Sequence, residues 1–426
     1  MIYYERGSET DILTSEDLQK GLNIALDRIG QRNKVLIIPP DFTRFHSRAG
    51  ELTSYVYAYF KDKVKDILPA LGTHTAMKNH ELETMFNGVP KDLFRVHDWR
   101  NDVVTVGKVP GSYISELTNG QLSYDWPAQL NKLVWNGGHD LILSIGQVVP
   151  HEVIGMANYN KNLFVGTGGS EGINKSHFLG AVYGMEKVMG RADNPVRKLL
   201  NYASENFTNH MPIVYIHTVV GRDKETNKLV TRGLFIGDDY SVFTKAAELS
   251  LKVNFTMLNS PLKKVVVYLD PSEFKSTWLG NKSIYRTRMA LDNNGELIVM
   301  APALQEFGED KEIDRLIRKY GYRGTPKTLQ SLKENKELEN NLSAAAHLIH
   351  GSSEERFSIT YCPGHLSKEE IESVNFKYAP LNQMLKKYDP AKLIDGFNMV
   401  DGEEIFYISN PAIGLWAYSE RFKDQK

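Results

Sequence analysis

Short apolar runs recur along the chain, and polar stretches with helical spacing fill the gaps between them. "KVLIIPP" (34–40), "DILPALG" (66–72), "DLILSIG" (140–146), "MPIVYIHTVV" (211–220), "KKVVVYLD" (263–270) and "GELIVMAP" (295–302) are β-rich and bounded by Pro, Gly or Asp. Unbroken apolar runs of this length suit strands covered on both faces, and so predict the parallel strands of an α/β protein. "SEDLQKGLNIALDRI" (15–29) carries apolar residues at helical spacing, with Ser15 placed to cap it. A second long helical pattern, "YSVFTKAAELSLKV", gives way to a new strand series within 251–263. The expected architecture is therefore two α/β domains, each on a mainly parallel sheet flanked by helices, with the active site in the cleft between them. Their expected bounds are 1–255 and 256–400, with 401–426 a tail returning to the first domain. Charged stretches such as "EDKEIDRLIRKYG" read as solvated helix faces.

Length and composition narrow the function classes. A chain of 426 residues exceeds the size at which a single core keeps growing. Its 41% hydrophobic and 24% charged residues are ordinary globular composition. Fifty-one basic against fifty-two acidic residues leave a net charge of −1, so neither nucleic acid nor a membrane is an expected partner. The single cysteine, Cys362, excludes an internal disulfide and a zinc site of several thiolates; in "ITYCPGH" it reads as a small buried hydrophobe. A polar N-terminus and the lack of any eighteen-residue apolar run point to the cytoplasm.

The reactive side chains fall where the first three strands end. "IIPP" runs into Asp41, Thr43 and Arg44, "PALG" into His74, and "LSIGQVVP" into His151. Open parallel sheets bind ligands beyond the carboxyl ends of their strands, so these loops should meet in one crevice. Two histidines there suit general acid and base work, and an arginine suits a carboxylate or phosphate. "HEVIGMANYNKNLFVGTGGSEGINKSH" (151–177) then adds Lys161, a glycine cluster with Gly168 and Gly169, and His177. The glycine cluster offers backbone N–H groups to an anion but matches neither a dinucleotide fingerprint nor a P-loop. His177 has no partner at zinc-ligand spacing, so a metal held mainly by a cofactor, with one protein histidine, fits better than a protein cage.

With these residues in view, the chain resembles the nickel-dependent lactate racemase family. The resemblance rests on Asp41-x-Thr43-Arg44, on Gly72-Thr73-His74, and on Lys161 and His177, ten and twenty-six residues after His151. It implies an isomerase that inverts C2 of a 2-hydroxy acid by proton-coupled hydride transfer to a nickel-pincer nucleotide. Lys161 would hold that cofactor covalently, His177 would ligate nickel, and His74 and His151 would exchange acid and base roles. Arg44 would orient the substrate carboxylate, Asp41 and Thr43 would contact the cofactor, and Lys282 in "WLGNKSIYR" would bind substrate from the second domain. Soft sulfur ligands would arrive with the cofactor, which accounts for the missing cysteines. Enzymes that make the cofactor are implied partners.

One element departs from the family pattern: a Gly-Gly-Arg expected before the anchoring lysine is replaced by "EVIGMANYNK". Gly168 and Gly169 are then candidates to hold the cofactor phosphate. Asn158, Tyr159 and Asn160 add hydrogen-bonding groups that would select a hydroxylated ligand, so the expected substrate is an aldonate such as gluconate, with lactate or another short 2-hydroxy acid as the alternative. Rival readings of another class are a hydro-lyase or hydrolase with a conventional divalent metal, and a non-catalytic sugar-acid-binding protein.

Overall fold

The computed structural model describes residues 1–423 apart from 224, 227 and 309. Contacts divide the chain into two compact units: Met1–Leu179 with Val188–Asn254, and Gly180–Lys187 with the chain from Phe255 onward. Both are α/β.

The first unit is built on a six-stranded sheet in the order Ile2–Gly7, Leu229–Gly237, Ile213–Arg222, Leu141–Gln147, Val35–Ile38, Val64–Ile67. The last four strands are mutually parallel, and the first two are added antiparallel. The apolar runs are continuous because both faces are covered: Leu36 and Ile38 join one core, Val35 and Ile37 the other. Helix Ser15–Ile29 seals the second core with Leu18, Leu22, Ala25 and Leu26, all inaccessible to solvent. Its N-cap is Thr14 and not Ser15. The Thr14 hydroxyl accepts from Asp17 N at 3.2 Å while the Asp17 carboxylate accepts from Thr14 N at 3.0 Å, a reciprocal capping box that only the residue three before Asp17 can make.

The second unit carries its own six-stranded sheet: Lys377–Tyr378, Ser358–Pro363, Leu291–Ala301, Leu262–Tyr268, Glu403–Ile408, Gly396–Val400. Every neighbouring pair is parallel except the last. This corrects the expected tail. Glu403–Ile408 lies parallel beside Leu262–Tyr268, with Val265 opposite Phe406, because Ile405, Phe406, Tyr407 and Ile408 are core residues. Trp416–Tyr418 then pairs with Thr256–Leu258, so the segment closes the second unit; residues 424–426 lie outside the described residues. Cys362 is fully buried in Ser358–Pro363, and burial pushes its thiol up to about 12, which leaves it inert at neutral pH. Among the described residues no helix is long and apolar enough to cross a membrane.

Candidate active site

Three adjacent parallel strands, Leu141–Gln147, Val35–Ile38 and Val64–Ile67, release their carboxyl ends side by side. Val35–Ile38 leads through two prolines to Asp41, which caps the 3-10 turn Phe42–Ser47 by accepting from Thr43 N at 3.2 Å. A bridge between Pro40 and Ala70 holds the exit of the neighbouring strand against it. His74 is thereby brought to Asp41, with Nδ1 2.6 Å from Oδ2. Burial alone would raise the Asp41 carboxyl, but His74, Thr43 and Arg44 together hold it below the usual carboxylate range. An ionised carboxylate only accepts, so a His74 proton sits on Nδ1, and in the neutral ring the lone pair is on Nε2.

His151 has the opposite setting. It follows Leu141–Gln147 in a two-residue ladder, Pro150–His151 against Gly155–Met156, and its Nδ1 accepts from Val153 N at 3.2 Å. The ring proton is therefore on Nε2. Burial holds its pKa well below the ordinary value; the Glu152 carboxylate opposes this, and the charges of Lys161, His177 and Arg44 reinforce it.

Lys161 opens the tight turn that runs through Asn162–Gly166 into helix Ser170–Tyr183. Its amine is pushed down to about 8, by burial first and then by Arg44, against the pull of Glu152 and Asp41. Two turns into that helix, His177 donates Nδ1–H to Ile173 O at 2.8 Å, leaving Nε2 unprotonated. Burial and then the Lys161 charge push it down to about 4. A neutral imidazole with one nitrogen fixed to a carbonyl and the other free is the state a metal ligand requires. Asp41, Arg44, His151, Lys161 and His177 thus share one electrostatic environment. Glu152 belongs to it too, a residue the sequence reading passed over although it directly follows His151.

Other expected residues have different surroundings. The amides of the glycine segment are engaged within the protein: Gly168 N donates to Val165 O, Ser170 N to Trp99 O and Gly172 N to the Gln129 side chain. A Cβ on Gly168 would lie 1.9 Å from Phe164 O and one on Gly169 2.4 Å from Gln129 Oε1, so close packing explains both glycines, and neither has positive φ. The buried His97, which the sequence reading missed, bridges Asn131 and Gly168 O and locks this segment. Asn158, Tyr159 and Asn160 turn inward at 3%, 7% and 0% exposure. Asn158 pairs with His217, Asn160 with Asn201 and Ser204, and Tyr159 packs against Tyr215 and Phe243. The selectivity for a hydroxylated ligand read from them therefore loses its basis. Lys282 lies in the second unit, where it begins helix Lys282–Thr287 with its ammonium 5.9 Å from the Phe274 ring.

Among the described residues no three His, Cys, Asp or Glu side chains converge as a metal cage. The donor set fits a metal brought by a cofactor: one neutral histidine nitrogen for the metal and one lysine amine, largely unprotonated above pH 8, for a covalent bond.

Residues 21–190 match the family model of the lactate racemase N-terminal domain. No curated protein matches the sequence. The crystal structure of a Thermotoga maritima protein, a structural genomics target, aligns over 97% of this chain and 100% of its own, with a TM-score of 0.78 and 25% identity. The lactate racemase apoprotein of Thermoanaerobacterium thermosaccharolyticum aligns over 97% of this chain and 94% of its own, with a TM-score of 0.69; at 17% identity this is a likeness of fold.

Proposed function

Residues 21–190 match the N-terminal domain of lactate racemase, and from that match we propose that the chain inverts C2 of a 2-hydroxy acid with a nickel-pincer nucleotide held at Lys161. The observation that carries the reading is the pairing of His177, neutral with Nε2 free, with a half-buried lysine whose amine is pushed down to about 8. When bound, such a cofactor supplies the carbon that takes up and returns the C2 hydride. The chain supplies everything else. Lys161 would give the nitrogen for the covalent link, and His177 Nε2 would ligate the nickel. Arg44 pairs with the substrate carboxylate.

The two other histidines start unequal. His74 Nε2 is ready to take the hydroxyl proton, while Asp41 holds its Nδ1–H and stabilises the imidazolium that forms. His151 begins neutral, as a donor through Nε2–H, and the charges of Lys161 and Arg44 disfavour its protonation. A covalent link at Lys161 and a carboxylate against Arg44 would cancel both, so His151 becomes protonatable in the assembled site. It can then serve as the acid when the 2-keto acid is reduced on its other face.

The substrate class is a 2-hydroxy acid. An aldonate such as gluconate belongs in the test on an equal footing with lactate, since Asn158, Tyr159 and Asn160 no longer favour it. The test is a panel of enantiopure 2-hydroxy acids labelled with deuterium at C2, incubated with protein co-expressed with the cofactor-making enzymes. Inversion with deuterium retained at C2 is expected for at least one member. Loaded protein that inverts none, or that exchanges the label with solvent, overturns the proposal.

A further inference from the structure

We propose that Arg197 is a positioning residue for Lys161, clamping the 156–160 segment in the strained path that presents the lysine; this rests on the anchor role of Lys161 given above. Asn158 and Tyr159 are consecutive non-glycine residues at φ 68° and 60°. Left-handed backbone is strained for a residue with a Cβ and persists only where the surroundings over-determine it. Tyr159 is the unexpected member, since a bulky aromatic seldom takes this conformation.

Arg197 meets this segment at every second residue. It rises from the first turn of helix Pro195–Ala203 and is completely buried. Its guanidinium donates to Met156 O at 2.6 Å, to Asn158 O at 3.3 Å and to the Asn160 side-chain oxygen. Its plane lies 4.3 Å from the Phe243 ring centroid and 5.9 Å from that of Tyr159. The same helix reinforces the grip: its capping residue Asn194 donates to Ile154 O, and Asn201 accepts from Asn160.

These contacts are carbonyls, an amide and ring faces. Burial pushes the guanidinium down to about 10, the mark of a cation kept in an apolar setting at real cost. A structural filler at this position needs no charge. A rigid fork of donors, by contrast, can engage three acceptors spaced two residues apart, which a lysine ammonium on its flexible stem cannot match. The positive charge also opposes protonation of the Lys161 amine, in the same direction as burial. The sequence of the segment contains no arginine, and the fold brings one to it from 37 residues beyond Asn160.

The test compares the full chain with Arg197→Met, Arg197→Lys and a control, Leu199→Ala, which empties core volume on the same helix without touching these hydrogen bonds. Hydrogen exchange of the cofactor-free proteins is followed at residues 156–161 and at helix Pro195–Ala203. In parallel, the fraction of Lys161 carrying the cofactor mass is measured after co-expression with the cofactor-making enzymes. Arg197→Met should speed exchange in 156–161 by about tenfold or more while the helix stays protected, and should sharply lower the loaded fraction. Arg197→Lys should fall between Met and wild type on both readouts, and Leu199→Ala should leave both near wild type. Segment exchange within about twofold of wild type in a folded Arg197→Met protein, or the same pattern in the control, overturns the proposal. If wild-type Lys161 gains no mass, the anchor role fails, while the exchange data still decide whether Arg197 is the clamp.

Discussion

At the residue scale, the site works through hydrogen bonds that fix where protons sit. His74 and His151 are the same residue type, beyond the ends of the two strands that flank Val35–Ile38, yet a carboxylate sets one as acceptor and a backbone N–H sets the other as donor. Asp41→Asn should therefore leave the fold intact and lower turnover by about a hundredfold or more, because an amide no longer enforces the Nδ1–H form of His74 or stabilises its protonated ring. Steady-state rates together with an unchanged melting profile check this. Buried histidines also make stability fall in mild acid. His217 is inaccessible to solvent, and burial pushes it down to about 3 from an ordinary 6.5. Between those values the unfolded chain binds a proton that the folded chain refuses, so stability declines as pH drops from 6.5, by about 2 kcal/mol for this group at pH 5. His217→Gln should lose correspondingly less stability than wild type between pH 7 and pH 5 in urea titrations, and equal losses would count against the assignment. Asp41, His74, His151, Lys161 and His177 could be singled out because their spacing along the chain is chemical information, and the role of each rests on the tests proposed. The directions of Asn158, Tyr159 and Asn160 were not, since a polar side chain next to a reactive one can face either way. Arg197 and His97 escaped notice because their partners lie 37 and 71 residues away.

At the element scale, the strands read most closely were those buried on both faces, such as Val35–Ile38 and Leu141–Gln147, where apolar runs are uninterrupted; the run at 66–72 only overlaps the end of Val64–Ile67, an edge strand whose Lys65 is exposed. Ile2–Gly7 and Leu229–Gly237 escaped because they form the antiparallel side of the sheet; the outer strand is half-exposed, and a register shift between Thr231 and Gly233 breaks the pattern of the second. Glu403–Ile408 escaped because its four-residue apolar run follows two glutamates and a turn, the pattern of a tail. The start of helix Ser15–Ile29 was misplaced by one residue, and the difference is measurable. Thr14→Ala removes the capping box and should cost about 1 kcal/mol in denaturant unfolding, with no change in slope. Ser15→Ala should cost less than Thr14→Ala, and the reverse order would restore Ser15 as the cap.

At the scale of the whole molecule, two α/β units are each closed by their own six-stranded sheet, and the chemistry on the first gathers at the ends of three adjacent parallel strands. The fold class was legible because alternating buried strands and amphipathic helices leave few other architectures. The path of the C-terminal segment was not, because strand pairing over more than a hundred residues leaves no local mark. The most direct test is intact mass with peptide mapping and metal analysis of the full chain co-expressed with the cofactor-making enzymes, beside Lys161→Arg and His177→Ala. One covalent addition on Lys161 with one equivalent of nickel is predicted for wild type, no addition for Lys161→Arg, and an addition with most of the nickel lost for His177→Ala. An unmodified Lys161 in wild type, or nickel retained in full by His177→Ala, would contradict the account.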